Sequence, residues 1–261
     1  MTGLDLQKLA FTTDNGFGDR ARIGLVVLEN DQTVEAELAS LWPSGVTAFV
    51  TRIPMEDRVT PEALLSMEAR IPEAAGLLPE ILDFDVIGYG CTSGATLIGE
   101  NRVSTAIRCA HPKTPNTNPI TATRAALAAL EARRIAIVTP YNAEVTSGIA
   151  NLLTAGGLEV LTIGSFFEES DAVVAHITEE AVSDAVRTVV KDVAGQVDAV
   201  FVSCTSLRAF SVAGPLEEEL GMPVLSSNLA FGWHLLRLAG IDDRLGGLGR
   251  LYSLGLPGAE R

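Results

Sequence analysis

Asp85-Val86-Ile87-Gly88-Tyr89-Gly90-Cys91-Thr92-Ser93 and Asp198-Ala199-Val200-Phe201-Val202-Ser203-Cys204-Thr205-Ser206 are two versions of one segment. Each has an acid, a short run suited to a strand buried on both faces, and a Cys-Thr-Ser turn. The step between the cysteines is 113 residues (91 to 204). A second pair, Arg22-Ile23-Gly24-Leu25-Val26 and Arg134-Ile135-Ala136-Ile137-Val138, repeats at 112 residues (22 to 134). Two motifs at nearly one step indicate two α/β units related by approximate two-fold symmetry. That symmetry brings the two Cys-Thr-Ser turns face to face across a cleft.

Working outward, residues 1 to 20 read as an irregular arm. Strands are expected at Ile23–Leu28, Val46–Thr51 and Asp85–Gly90. The second unit repeats them at Ile135–Thr139, Leu158–Ile163 and Asp198–Ser203, with a last short strand at Pro223–Ser226. Thr60-Pro61 opens a helix, with threonine as cap and proline at the first position. Leu64, Met67, Ile71, Ala74, Leu78 and Ile81 continue it, with Pro72 and Pro79 as breaks or kinks. Further helices are expected over about 143–156, from Thr178 to near Gly195, and over about 229–239. Strands alternating with helices predict parallel sheets.

The chemistry is expected at the two turns, because ligands of open parallel sheets sit beyond the carboxyl ends of the strands. Each turn is expected to lead into a helix, whose free N–H groups and dipole would lower a thiol pKa and hold a carboxylate. Cys91 and Cys204 are the candidate catalytic pair, with Thr92, Ser93, Thr205 and Ser206 beside them. Tyr141, after the first strand of the second unit, is a candidate donor to a substrate carboxylate. Asn30 and Asp31 hold the pseudo-equivalent place in the first unit. Cys109 lies late in the helix after Cys91 and lacks the turn, and His111 reads as a surface residue. Arg124 and Arg208 read as ion-paired or solvated. No GxGxxG or P-loop pattern marks a nucleotide site. No CxxC or HxxxH spacing marks a metal.

The bulk numbers narrow the partners. A formal charge of −14 over 261 residues repels nucleic acid and anionic membrane surfaces. Leu220–Leu236, the longest uncharged stretch near the C-terminus, is interrupted by Gly221, Pro223, Ser226, Ser227 and Asn228, so no membrane span is expected. No export signal is evident in the opening residues, so three reduced cysteines in a cytoplasm are expected.

GYGCTSGATLIG (88–99), ARRIAIVTPY (132–141) and VSCTSLRAF (202–210) resemble the aspartate/glutamate racemase superfamily. Within it the chain is similar to the maleate cis-trans isomerases, the arylmalonate decarboxylases and the ectoine-utilisation proteins. RIGLVVLENDQTVEAEL, RIPMEDRVTPEAL and PVLSSNLAFGWHLLRLAG look most like the last group. The resemblance implies an α/β fold of two pseudo-symmetric flavodoxin-like lobes, each a four-stranded parallel sheet flanked by helices, with the active site between them. It implies a chain crossing, with residues 1–117 and 226–261 in one lobe and 118–225 in the other. It also implies that Cys91 and Cys204 are the catalytic pair and that no metal or organic cofactor takes part. Thr92, Ser93 and Tyr141 would hold a carboxylate, and the backbone N–H at Thr205 would add to that pocket. The decarboxylases carry glycine where Cys91 stands. The amino-acid racemases carry Asp-Ser in the loop that here reads Leu28-Glu29-Asn30-Asp31, and the maleate isomerases carry asparagine where Asp31 aligns.

The expectation is therefore a cofactor-independent isomerase or racemase of a small carboxylic acid, working by proton abstraction and return or by thiolate addition and elimination. The alternatives are a decarboxylase using Cys204 as proton donor and a catalytically silent small-acid sensor. A homo-oligomer, most simply a dimer, is expected.

Overall fold

A computed structural model describes residues 6–258; the opening of the expected arm, residues 1–5, lies outside the described residues, as do 259–261. From Leu6 to Arg20 the chain forms neither helix nor strand. The first half then runs β1 (Ala21–Leu28), α1 (Val34–Ala39), β2 (Val46–Ile53), α2 (Pro61–Ser66), α3 (Ile71–Gly76), β3 (Val86–Gly90), α4 (Thr92–Ile98), α5 (Glu100–Arg108) and β4 (Asn116–Thr117). After α6 (Pro119–Ala129), the second half runs β5 (Arg134–Thr139), α7 (Ala143–Ala155), β6 (Glu159–Ser165), α8 (Asp171–Val174), α9 (Glu179–Val190), β7 (Ala199–Val202), α10 (Phe210–Leu220), β8 (Val224–Ser226) and α11 (Ser227–Leu238).

Two four-stranded parallel sheets result, in the orders β2-β1-β3-β4 and β6-β5-β7-β8. This is the flavodoxin-like arrangement, in which the connection changes direction between the first and third strands and opens a crevice there. The expected fold class is therefore the observed one. The internal repeat is geometric as well as literal: three strands of the first sheet reappear in the second at a constant 113-residue step (21 to 134, 46 to 159, 86 to 199). The central strands are buried on both faces because helices cover both sides. Every residue of β3 and of β7 is buried.

The helices obey local rules. The Thr60 hydroxyl accepts from the Ala63 N–H at 3.3 Å, and Pro61 occupies the first turn. The continuous periodicity over 61–81 does not make one helix. It is divided into α2, a 3-10 turn at Glu68–Arg70, and α3, with Pro72 in the first turn of α3 rather than in a helix interior. Thr178 caps α9 as expected, accepting from the Ala181 N–H at 3.1 Å. The helices α1, α6 and α10, of 6, 11 and 11 residues, were not among those expected from the sequence.

The buried centre of the fold is α11, which follows the last strand of the second sheet yet packs on β3, α1 and α6. It is buried from Ser227 to Arg237, with Trp233 and Phe231 fully enclosed. Such closeness requires glycine at two places. A Cβ at Gly88 would lie 2.4 Å from Phe231 Cζ, and one at Gly232 would lie 2.2 Å from Leu41 Cδ1. His111, read from the sequence as a surface residue, is instead buried. Its Nε2 lies 3.0 Å from the Ala75 carbonyl, and its ring meets Phe84 edge-on. Proline follows it, but the chain tucks the imidazole under α3 before leaving. Among the described residues no helix is long and apolar enough to cross a membrane.

Gly88→Ala is expected to destabilise the protein by about 1–3 kcal/mol, the usual cost of forcing a methyl group into a filled core. Urea denaturation monitored by tryptophan fluorescence would measure it. An unchanged midpoint would show that α11 can move away from β3 freely.

Candidate active site

Each cysteine follows the third strand of its sheet, at the carboxyl end and beside the crevice. Cys91 follows β3 and is the N-cap of α4: its sulfur accepts from the Gly94 N–H at 3.2 Å. The Ser93 hydroxyl lies 3.7 Å from the same sulfur. This is the helix-entry turn expected from the sequence.

Cys204 departs from that expectation. No helix follows it until Phe210, six residues on, so Thr205 and Ser206 cap nothing. Its backbone instead takes φ +143°, a region that side-chain-bearing residues rarely enter and that neighbours must enforce. The enforcement is visible. The Cys204 N–H donates to Ser227 Oγ at 3.0 Å, and the Thr205 hydroxyl donates to the Gly90 carbonyl at 3.4 Å. Ser227, the first residue of α11, lies beside this turn and binds its N–H.

Ser227 also ties the two turns together. Its hydroxyl oxygen accepts from Thr92 Oγ1 at 2.9 Å as well as from Cys204. The hydroxyls of Thr92 and Thr205 are therefore committed to the framework between the lobes and are not free donors for a ligand. Tyr141, two residues past the end of β5, is buried beside the thiols, near enough to Cys204, Cys91 and Ser93 to act on their protonation.

Asp31 reaches the same place. One carboxylate oxygen accepts from the Thr33 and Val34 N–H groups at 2.8 Å each, and the other lies 3.4 Å from Ser206 Oγ. Asn30 is not brought to the thiols by any recorded contact, and its amide atoms are shielded without hydrogen-bond partners. Arg124 pairs with Glu100, and Arg208 binds the Ile177 carbonyl, so neither faces the cysteines. Cys109 is exposed, and all three cysteines are free.

The sequence reading missed Asp171. It is 3% exposed, and its carboxylate accepts from Ser206 Oγ at 3.0 Å. It stands at the start of a one-turn helix inside an acidic stretch that looks like ordinary surface. What buries it is a clasp between the lobes. The Val59 N–H donates to the Glu169 carbonyl at 2.8 Å, the Asp171 N–H to the Asp57 carbonyl at 3.1 Å, and Arg58 pairs with Glu169 at 2.7 Å. Residues 57–59 and 169–171 lie 112 positions apart, within one residue of the internal repeat, and Arg58 and Ser170 form an antiparallel bridge between the two loops. No local pattern announces a contact of this kind. Ser227 was equally invisible, since its role depends on where α11 starts.

The electrostatics differ from the expected activated thiols. Burial raises both thiol pKa values, Cys91 to about 12 and Cys204 further. The Gly94 N–H and Ser93 hydroxyl oppose this at Cys91, and the Tyr141 hydroxyl and Ser206 N–H oppose it at Cys204. The negative charges of Asp31 and Asp171 raise both thiols further. Burial pushes Asp171 itself up to about 6 and raises Asp31 as well. The short α4 supplies a donor, but enclosure outweighs it. Cys91 is 2% and Cys204 4% exposed, and that enclosure favours the protonated thiol at both.

It follows that Cys91→Ala and Cys204→Ala should leave the thiolate ultraviolet absorbance at neutral pH unchanged in the ligand-free protein. Iodoacetamide should label the exposed Cys109 well before either buried thiol, as peptide mass mapping would show. Rapid labelling of Cys91 or Cys204 would mean that the ligand-free protein rests in an open form.

Comparison with known proteins places the chain among enzymes of one family. The family described as arylmalonate decarboxylase matches residues 23–252. A maleate isomerase of Nocardia farcinica is 30% identical over 247 residues, covering 88% of this chain and 94% of its own. A solved structure of the Nocardia farcinica maleate cis-trans isomerase, a cysteine-to-serine mutant with a covalently bound succinylcysteine intermediate, superposes with a TM-score of 0.78 at 28% identity. It covers 89% of this chain and 98% of that one. A liganded arylmalonate decarboxylase mutant, in which one glycine is cysteine and one cysteine is serine, superposes with a TM-score of 0.80 at 27% identity. It covers 88% and 98% of the two chains. With a match across most of its length and the duplicated cysteine turns at the strand ends, the chain belongs to the arylmalonate decarboxylase family, within the aspartate/glutamate racemase-like superfamily.

Proposed function

We propose that the protein is a cofactor-independent isomerase that acts on the carbon beside the carboxylate of a small acid, using Cys91 and Cys204 from opposite sides. The observation that carries this reading is the placing of Cys91 and Cys204 at equivalent strand ends of the two sheets, both buried, with Ser93 against the first sulfur and Tyr141 buried near both.

In the proton-transfer form, one sulfur takes the proton from the carbon and the thiol opposite returns one. The charge that develops on the carboxylate oxygens is met by the hydroxyls of Ser93 and Tyr141. In the addition form, one thiolate bonds to an olefinic carbon as the double-bond electrons move toward the carboxylate. The remaining single bond rotates, and the electrons return as the C–S bond breaks. The succinylcysteine intermediate of the Nocardia farcinica isomerase supports the second form. Both forms require a thiolate, so substrate entry has to transfer a proton from sulfur to a neighbouring base. The two buried aspartates are placed to influence that step. Thr92, Thr205 and Ser227 are positioning residues that hold the turns.

A second reading, decarboxylation with Cys204 returning the proton, is favoured by the description of the matching family and by the decarboxylase structures among the neighbours. The two are separable, because only decarboxylation releases carbon dioxide.

The test is proton NMR of the protein in D2O with a panel of small acids. Deuterium at the carbon beside the carboxylate, or a cis acid turning trans, is the expected outcome, whereas loss of a carboxylate would promote the second reading. Cys91→Ala and Cys204→Ala should each lower turnover by ~10²–10⁴-fold, the usual worth of a positioned proton-transfer group. Cys109→Ser should not change it. Full activity in Cys91→Ala would remove the two-cysteine mechanism.

A further inference from the structure

Ser227 is not alone in holding the Cys204 turn. Its neighbour on α11, Asn228, donates one side-chain N–H to the Thr205 carbonyl at 2.8 Å. Consecutive residues of one helix thus grip consecutive residues of the turn, Ser227 the Cys204 N–H and Asn228 the Thr205 carbonyl. The second N–H of Asn228 goes to Glu37 Oε2, on α1, at 2.6 Å. The amide oxygen of Asn228 is buried and has no donor.

This arrangement reads the charge on Glu37. A carbonyl can only accept, so the amide nitrogen has to face Thr205, and the group on the second N–H has to accept as well. The other oxygen of Glu37, Oε1, accepts from the Phe210 N–H at 3.3 Å. Both oxygens therefore face N–H donors, which suits a carboxylate. A proton on either oxygen would point at a donor. The acceptor left over in this group is Asn228 Oδ1, and the amide has to turn to offer it. Turning it takes the N–H away from the Thr205 carbonyl.

The surroundings bring that proton within reach of neutral pH. Burial raises the Glu37 pKa to about 7, against the opposing Asn228 and Phe210 N–H groups, and the negative charges of Asp31 and Glu179 add to the rise. Among the described residues no Lys, Arg or His pairs with Glu37. On the elements around it, α11 has no titratable side chain before His234 and α10 none before Glu217. Glu35 of α1 is paired with Arg52, and Arg208 is committed to the His176 and Ile177 carbonyls. Asp31 and Asp171 reach the same turn through Ser206 rather than through Asn228.

We propose that Glu37 is a positioning residue for Cys204: as a carboxylate it orients the Asn228 amide, and the amide holds the turn at the Thr205 carbonyl. Protonation of Glu37 releases the amide and loosens the turn. The bearing on catalysis rests on the two-cysteine reading above, whereas the coupling of carboxyl, amide and carbonyl stands independently of it.

The first arm of the test needs no substrate. Proton–nitrogen NMR follows the side-chain amide of Asn228, identified by its loss in Asn228→Ser, from about pH 5 to about pH 9. Deuterium exchange reads the protection of the Cys204 and Thr205 amides over the same range, corrected for the intrinsic pH dependence of exchange. The side-chain signal should shift with a midpoint near 7. Protection should fall about 10-fold below that midpoint, the worth of one buried hydrogen bond. Both steps should vanish in Glu37→Gln and persist in Asp171→Asn, which changes the carboxylate on Ser206 instead. In the second arm, kcat for an acid that the protein turns over should fall below the same midpoint, with a smaller change in KM. A signal that does not shift, or that shifts unchanged in Glu37→Gln, overturns the proposal, and so does a step in protection with no counterpart in kcat. If Glu37→Gln does not fold, the unmodified protein decides: equal protection of the turn on both sides of pH 7 overturns the proposal. If Cys204→Ala keeps full turnover, the two-cysteine reading fails while the Glu37–Asn228 coupling stands.

Discussion

One hydroxyl group, on Ser227, accepts hydrogen bonds from Thr92 at 2.9 Å and from the Cys204 N–H at 3.0 Å. Thr92 begins the helix capped by Cys91, so this oxygen sets the spacing of both cysteine turns. It is buried, which makes each bond costly to leave unmade and fixes the geometry more firmly than an exposed contact would. The unusual backbone of Cys204 at φ +143° is tolerable because this bond and the Thr205–Gly90 contact hold it. Everything proposed for the chemistry presumes two sulfurs held at a set separation, and Ser227 is where that separation is determined.

Ser227 can act in this way because of the close packing behind it. It is the first residue of α11, a helix buried along its length and seated against Gly88 on β3 and against Leu41 through Gly232. Close packing leaves that helix little freedom to slide. The line from core to site is direct: glycine permits the approach of α11, the approach places Ser227, and Ser227 holds the cysteines. The second tie between the lobes is of another kind. The clasp of residues 57–59 with 169–171 is polar and partly exposed, built from backbone bonds and the Arg58–Glu169 pair. It buries Asp171 yet carries little apolar surface, as befits an element that must part if a ligand is to enter the closed space.

The pH behaviour of the site comes from enclosure rather than from helix ends. The expectation of activated thiols treated each turn as an isolated helix entry. In the folded protein the loss of water around the sulfurs outweighs the donors, and two nearby carboxylates oppose a negative sulfur further.

The sequence alone determined a good deal. The duplicated Asp-to-Ser segments, the 113-residue step and the strand-helix alternation indicated two parallel α/β units, because burial pattern and repeat are properties of the chain, while the four-stranded lobes came with the family resemblance. They also placed Cys91, Cys204, Ser93, Tyr141 and Asp31 at strand ends, and parallel strands gather such ends at one edge. Contacts between distant segments were decided only by the tertiary structure. Ser227 is 135 residues from Thr92, and Asp171 is 35 residues from Ser206. Whether a serine bridges two turns or an aspartate is buried depends on which helix packs over which sheet, and no local pattern encodes that. The helix expected after Cys204 is likewise absent: the next helix begins only at Phe210, and the Cys204 N–H is held by Ser227 from a distant part of the chain.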